Sequence, residues 1–204
     1  NADNFTMAPY VDFINHSSDD QCRLKIDTMG FQVITTTAYN TNDQVFLSYG
    51  PHSNEFLLCE YGFILPNENK WNDLNLSDTI ISLLKPNQIE FLKQHDYYDD
   101  YTINIESGIS FRTEVALAVL QEESPEKSTR ILSLINGYID GAIYKKNANI
   151  LLTTMFQNII HDCDAKLRLE YSDERDKVTN DRLRAIGTLY RNRKQIAEKY
   201  IVEL

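Results

Sequence analysis

Apolar and polar positions follow two different periods along the 204 residues of the chain. Up to about residue 65 the spacing is strand-like. CRLKID (22–27) and FQVITTT (31–37) flank Thr28-Met29-Gly30, with Phe31, Val33 and Thr35 on alternate positions, and this pattern predicts a β-hairpin. QVFLSY (44–49) predicts another short strand, entered through the turn residues Asn40 to Asp43. A short helix is expected at about 54–61, capped by Ser53 or Asn54.

After Trp71 the period becomes helical. SDTIISLLK predicts a helix with Ser77 as N-cap that stops before Pro86, and PNQIEFLKQHD predicts a second with Pro86 in its first turn. ISFRTEVALAVLQEE reads as an amphipathic helix with Phe111, Val115, Ala118 and Val119 on one side. STRILSLINGYIDGAIY is expected to break at Gly137. The stretch from Asn147 to Tyr171 sets Ile150, Leu151, Met155, Phe156, Ile159, Ile160 and Cys163 on one stripe. A last helix, about 178–202, turns Ile186, Leu189, Tyr190, Ile196, Tyr200 and Ile201 one way, and YSDERDKVTND (171–181) before it reads as a loop or a helix start. The fold expected is therefore α+β: a β-rich unit over 1–66 and an all-helical unit over 67–204, divided within PNENKW (66–71).

Composition narrows the class. No window of roughly 18 uncharged apolar residues occurs, which excludes a membrane-spanning helix. Cys22, Cys59 and Cys163 lie far apart with no C-x-x-C pair, so no zinc cluster is expected. Unpaired spacing of this kind suits a reducing compartment, the cytosol or the nucleus. The chain starts Asn-Ala-Asp, without Met or a signal-peptide core, and reads as part of a longer protein. Net charge is −10, and residues 1–74 hold ten acids against three bases. That front half argues against nucleic acid as a direct ligand and favours a basic partner through steering. Solubility alone also selects acidic surfaces, so the charge has a second, bland explanation.

The candidate chemistry lies in two stretches. YVDFINHSS (10–18) sets Asp12, Asn15 and His16 among aromatic and aliphatic neighbours. FLSYGPHSNEFLLCEYGFIL (46–65) holds Tyr49 and Tyr61, each followed by glycine, with Phe63 just beyond. The intervening helix can bring Tyr49, Tyr61 and Phe63 round one spot. Paired aromatics of this kind form a slot for an alkylammonium chain, and a hydroxyl among them can orient an amine. The plain alternative is that these rings are core or rim, since the chain has 12 tyrosines and 9 phenylalanines, and that the Asn-His pair is a self-satisfied turn. His16, His52, His95 and His161 lack ligand spacing, and no Ser or Cys nucleophile motif accompanies them, so neither a metal site nor covalent catalysis is expected.

Taken together, these two stretches resemble the second half of a SET domain. More narrowly they resemble the clade of the Rubisco large-subunit lysine methyltransferase, in which a helical substrate-binding domain follows. The clade's pattern, D-x-x-N-H and then Y-(D/G)-x-x-S-N-x-x-L-L-x-x-Y-G-F, is matched at Asp12, Asn15, His16, Tyr49, Gly50, Ser53, Asn54, Leu57, Leu58, Tyr61, Gly62 and Phe63. The resemblance implies S-adenosylmethionine as cofactor, held by Asn15 and His16, with Phe63 against the adenine. It implies Tyr49 as the catalytic tyrosine, Tyr61 and Phe63 as walls of a lysine channel, and the Asp12 carbonyl as acceptor for the lysine amine. A further family tyrosine would fall near Leu24, where this chain has none, so that wall differs. The resemblance also implies a threading that brings Asn15 and His16 beside Tyr49 and Tyr61. The family's Gly-x-Gly half of the cofactor site is absent from these residues, and it is expected in the same or another chain. The expected reaction is lysine N-methylation of a folded basic protein, a ribosomal protein or translation factor. A histidine-directed methyltransferase and a non-catalytic interaction module remain the alternatives.

Overall fold

A computed structural model of the chain describes residues 8–19, 21–65, 69–169 and 177–204. The chain divides into two compact units, Asn1–Trp71 and Asn72–Leu204. The fold is mixed α and β. Among the described residues no helix is long and apolar enough to cross a membrane.

In the first unit a 3-10 turn, Val11–Phe13, leads into β1, Asn15–His16. The hairpin follows, with β2 Cys22–Asp27 and β3 Gly30–Thr35 paired antiparallel in the register Leu24↔Val33. Asp27 Oδ1 closes its turn by accepting from the Met29 N–H at 2.8 Å, and Gly30 supplies the positive φ of 113°. The hairpin buries little of itself: Leu24, Ile26, Met29 and Phe31 are all exposed. After it, β4, Phe46–Leu47, lies parallel to β1 with His16 opposite Leu47. Two strands far apart in sequence thus become neighbours, and the residues just after β4 arrive beside His16. The expected strand over 44–49 is confined to these two residues.

Helix α1, Asn54–Tyr61, begins where expected. Ser53 is its cap, its hydroxyl accepting from the Phe56 N–H at 3.4 Å. Gly62 ends it in the left-handed region at φ 78°, with its N–H on the Leu58 carbonyl. Leu57 of this helix, Leu47 and Cys22 are the buried apolar side chains of this unit among the described residues.

The second unit carries the large core. It contains β5 Asp73–Asn75, α2 Ser77–Leu83, α3 Pro86–Gln94, β6 Thr102–Asn104, β7 Gly108–Ile109, α4 Phe111–Val119, α5 Thr129–Ile135, α6 Ala142–Leu169 and α7 Lys177–Glu203. The second unit is not all-helical, contrary to the expectation from the sequence. Strands β5, β6 and β7 form an antiparallel sheet with Leu74, Ile103 and Ile109 in register. Each of these strands has two or three residues, too few for a period of two to show.

Three details of the helices also differ from the periodicity. Leu76, not Ser77, stands at the α2 cap, and the Ser77 hydroxyl instead accepts from the Tyr101 N–H at 3.0 Å. In α4 the five successive residues Val115 to Val119 are all buried, while Phe111 is exposed. The two alanines let neighbours approach the side that would otherwise face water, so α4 is a central helix rather than a surface one. Between α5 and α6 the break spans both Gly137 and Gly141, at φ 73° and 75°. Helices α6 and α7 lie antiparallel: Asn149 Nδ2 reaches the Leu204 carbonyl at 3.1 Å, and Lys194 Nζ meets Asp164 Oδ1 at 2.6 Å. The segment 171–176 of the loop or helix start expected at 171–181 lies outside the described residues, and α7 is already formed by Lys177.

Candidate active site

The geometry of the first unit gathers side chains from three places: the end of β1, the turn after β4, and the end of α1. The ring of His16 lies 5.1 Å from that of Tyr49, and Tyr49 lies 5.0 Å from Tyr61, centroid to centroid. Phe63 closes the group at 6.0 Å from His16, 6.4 Å from Tyr49 and 6.2 Å from Tyr61. All these pairs are tilted or edge-on, the arrangements that aromatic rings favour. His16 is buried, Tyr49 and Phe63 are partly buried, and Tyr61 is exposed.

Local chemistry fixes each ring. The β1–β4 pairing, with Ser17 N–H donating to the Leu47 carbonyl at 3.2 Å, sets His16 beside the turn. His16 Nδ1 accepts from the Tyr49 N–H at 3.0 Å. In the neutral ring the proton therefore sits on Nε2. Nε2 is buried, and among the described residues it meets no acceptor in hydrogen-bond geometry. Burial pulls the His16 pKa below its ordinary value; the nearby Leu47 carbonyl resists part of that drop, and His52 adds to it. The Tyr49 hydroxyl donates to the Ile14 carbonyl at 2.7 Å. Burial, with Tyr61 beside it, raises the Tyr49 pKa, so its phenol stays protonated at neutral pH.

The return from α1 is braced by buried amides. Gly62 reverses the chain, and Asn54 Oδ1 accepts from the Leu65 N–H at 3.1 Å, so the segment carrying Phe63 is held against the start of the helix. Asn69 Nδ2 donates to the His52 carbonyl at 2.9 Å and reaches Asn54 Oδ1 at 3.4 Å.

The structure brings His16, Tyr49, Tyr61 and Phe63 together. Asn15 sits on the same short strand with its side chain exposed. Asp12 lies in the preceding turn, exposed, and among the described residues no hydrogen bond links it to the rings. The carbonyl that engages Tyr49 is that of Ile14. Leu24, where a family tyrosine is missing, is an exposed position of β2. Sequence reasoning gave no role to Ile14, His52, Phe56 or Asn69. His52 stacks on Phe56 at 4.2 Å and 17°, and its Nε2 lies 3.1 Å from the Tyr49 carbonyl. A carbonyl or a histidine between Pro51 and Ser53 leaves no periodic trace, so neither partner is legible in the sequence.

These residues fit one side of a site for a sulfonium-bearing nucleoside. Aromatic faces stabilise a cation, the exposed Asn15 amide can donate and accept, and the buried His16 N–H is left wanting an acceptor.

Comparison with known proteins agrees with this division of the chain. A family model described as the Ribosomal lysine N-methyltransferase 2 C-terminal domain matches residues 72–203. Ribosomal lysine N-methyltransferase 2 of Saccharomyces cerevisiae is 34% identical over 98% of this chain and 45% of its own length. Ribosomal lysine N-methyltransferase set11 of Schizosaccharomyces pombe is 35% identical over 80% of this chain and 44% of its own. SET domain-containing protein 4 of Homo sapiens is 28% identical over 87% and 42%. The chain thus spans a little under half the length of these relatives. Among solved structures, one described as the SET domain of LSMT bound to lysine and AdoHcy aligns with a TM-score of 0.53 at 15% identity, covering 96% of this chain and 48% of that one.

Proposed function

The chain belongs to the SET-type lysine methyltransferase family, and we propose that it contributes the catalytic tyrosine and half of the cofactor and lysine sites of an S-adenosylmethionine-dependent protein-lysine N-methyltransferase. The observation that carries this reading is the Tyr49 phenol, set among His16, Tyr61 and Phe63 with its proton committed to the Ile14 carbonyl. Because that proton points away, the oxygen lone pairs are left to accept from an amine N–H. A protonated phenol is an orienting group, not a base.

When bound, S-adenosylmethionine supplies an electrophilic methyl on a sulfonium. Asn15 and His16 are the residues we assign to holding it on this side of the site, with Phe63 against its adenine. Tyr61 and Phe63 wall the lysine approach, and the Asp12 carbonyl is a further acceptor for the amine. Desolvation in the channel and the neighbouring sulfonium charge both disfavour the ammonium and so lower the lysine pKa from ~10.4. A neutral amine has the free lone pair that displacement needs, and alignment by Tyr49 contributes part of the roughly 7–11 kcal/mol available from positioning. The other half of the SET domain is the partner needed to complete the site.

For substrate we propose a ribosomal protein. Two relatives carry ribosomal lysine methylation in their names, and the acidic front half suits a basic protein. The second unit is then the docking domain for a folded substrate. Three free thiols suit a cytosolic or nuclear setting. The test is transfer of labelled methyl by the complete protein to isolated large and small ribosomal subunits, with the modified residue located by mass spectrometry. Label on a lysine, lost when 72–204 is deleted, supports the reading. Label on histidine moves it to that residue, and no label with firm cofactor binding moves it to a non-catalytic module.

A further inference from the structure

The backbone of Tyr49 is held on both sides by histidines. His16 takes its N–H at 3.0 Å, and His52 Nε2 lies 3.1 Å from its carbonyl oxygen. A carbonyl only accepts, so His52 must carry its proton on Nε2.

His52 is itself fixed from three directions. Its ring stacks on Phe56 of α1 at 4.2 Å. Its N–H donates to the Gly50 carbonyl at 3.0 Å, and its carbonyl accepts from Asn69 Nδ2 at 2.9 Å. The ring also occupies the space where a side chain at residue 50 would begin: a Cβ on Gly50 would stand 2.8 Å from His52 Nε2. Gly50 lies at φ 131°, which only glycine adopts readily. The glycine after Tyr49 is therefore what admits the histidine, and the histidine is what ties the Tyr49–Gly50 turn to α1.

We propose that His52 is a positioning residue for methyl transfer: by donating from Nε2 to the Tyr49 carbonyl while stacked on Phe56, it sets the direction of the Tyr49 ring and so the place of its hydroxyl. The proposal rests on the catalytic role given to Tyr49, but its structural half does not. The Tyr49 hydroxyl meets Ile14 at 2.7 Å only if the turn holds the ring at one angle. A displacement of an ångström at such a group costs about 10²-fold in rate.

Two substitutions in the complete protein separate donor from packing. His52→Phe keeps a ring on Phe56 and removes the donor. His52→Gln removes the stacked ring and supplies an amide N–H that can reach the same carbonyl. Crystal structures of both variants are expected to show the Tyr49 hydroxyl bonded to the Ile14 carbonyl in H52Q and displaced in H52F. Methyl transfer to ribosomal subunits is expected to fall about 10²-fold in kcat for H52F, with KM for S-adenosylmethionine little changed, and to be rescued to near wild type by H52Q. If the H52F hydroxyl stays on Ile14, or if H52Q fails while H52F works, the positioning role is overturned. If neither variant folds, His52→Asn, too short to reach the carbonyl, is read against wild type by the same hydroxyl position. A wild type that transfers no methyl, with the hydroxyl displaced in H52F, would remove the reaction and leave the positioning intact.

Discussion

The backbone N–H of Tyr49 donates to Nδ1 of His16 at 3.0 Å, a bond that only the unprotonated imidazole can accept. Protonation of His16 would set one N–H against another and would place a charge in a buried ring. The folded-state pKa of His16 lies below its ordinary 6.5 because burial penalises that charge. The unfolded chain therefore binds the proton first as pH falls. Stability from this group is complete above about 6.5 and declines from there through the lower folded value. Denaturant midpoints of the complete protein should fall between pH 7.5 and pH 5, and cofactor binding should weaken over the same range. His16→Asn, whose Oδ1 offers an acceptor near the place of Nδ1, should flatten that dependence. An equal slope in wild type and H16N would show that the acid sensitivity comes from elsewhere.

Tyr49→Phe tests the hydroxyl alone. The ring contacts with His16, Tyr61 and Phe63 survive the change, so calorimetric affinity for S-adenosylmethionine should stay close to wild type. What is lost is the bond to the Ile14 carbonyl and the acceptor offered to the amine. A deserted, part-buried carbonyl costs about 1–3 kcal/mol. Methyl transfer should fall by about 10²-fold in kcat. Retained turnover with normal cofactor binding would exclude Tyr49 from the chemistry.

Gly50 and Gly62 should respond very differently to alanine, although both lie at positive φ. At Gly62 a Cβ meets nothing within 4 Å, so Gly62→Ala carries only the left-handed backbone cost of about 1–2 kcal/mol. At Gly50 the Cβ would stand 2.8 Å from His52 Nε2, and the ring cannot withdraw without leaving Phe56 and the Tyr49 carbonyl. Gly50→Ala should therefore remove activity as well as stability, whereas Gly62→Ala should lower the melting temperature and keep most turnover. Equal losses of turnover would count against the turn as the sensitive element.

How much of this could be read from the chain depends on the range of the interaction. The hairpin and α1 are local: alternation at Phe31, Val33 and Thr35, and a Ser53 cap with Gly62 at the far end, specify them without distant partners. The grouping of Tyr49, Tyr61 and Phe63 is legible because a single short helix joins them. His16 beside Tyr49 is not local; it follows from the parallel β1–β4 pairing, which in the sequence rests on resemblance alone. The partners of the Tyr49 backbone and hydroxyl, His52 and Ile14, lie below any sequence signal, since one acts through a ring tip and the other through a carbonyl. The sheet of the second unit is hidden for a different reason: it places one apolar residue per strand, Leu74, Ile103 and Ile109.

Helix α6 offers a sharp test of which face a helical period assigns to the core. Its expected stripe includes Ile150 and omits Leu152, yet Ile150 is 59% exposed and Leu152 is 0% exposed. At 100° per residue Leu152 lies amid the face that carries Tyr144, Met155, Phe156 and Cys163, and Ile150 lies on the opposite side. The buried face is thus constant along the helix, and the expected stripe errs in taking Ile150 for Leu152. Leu152→Ala should then cost about 2–5 kcal/mol, as a cavity in a close-packed core does. Ile150→Ala should fall within about 0.5 kcal/mol of wild type, as surface changes do. The check is chemical denaturation of the complete protein, followed by a probe in the second unit such as tryptophan introduced at Phe156. Comparable losses at the two positions would mean that α6 is rotated from the orientation described.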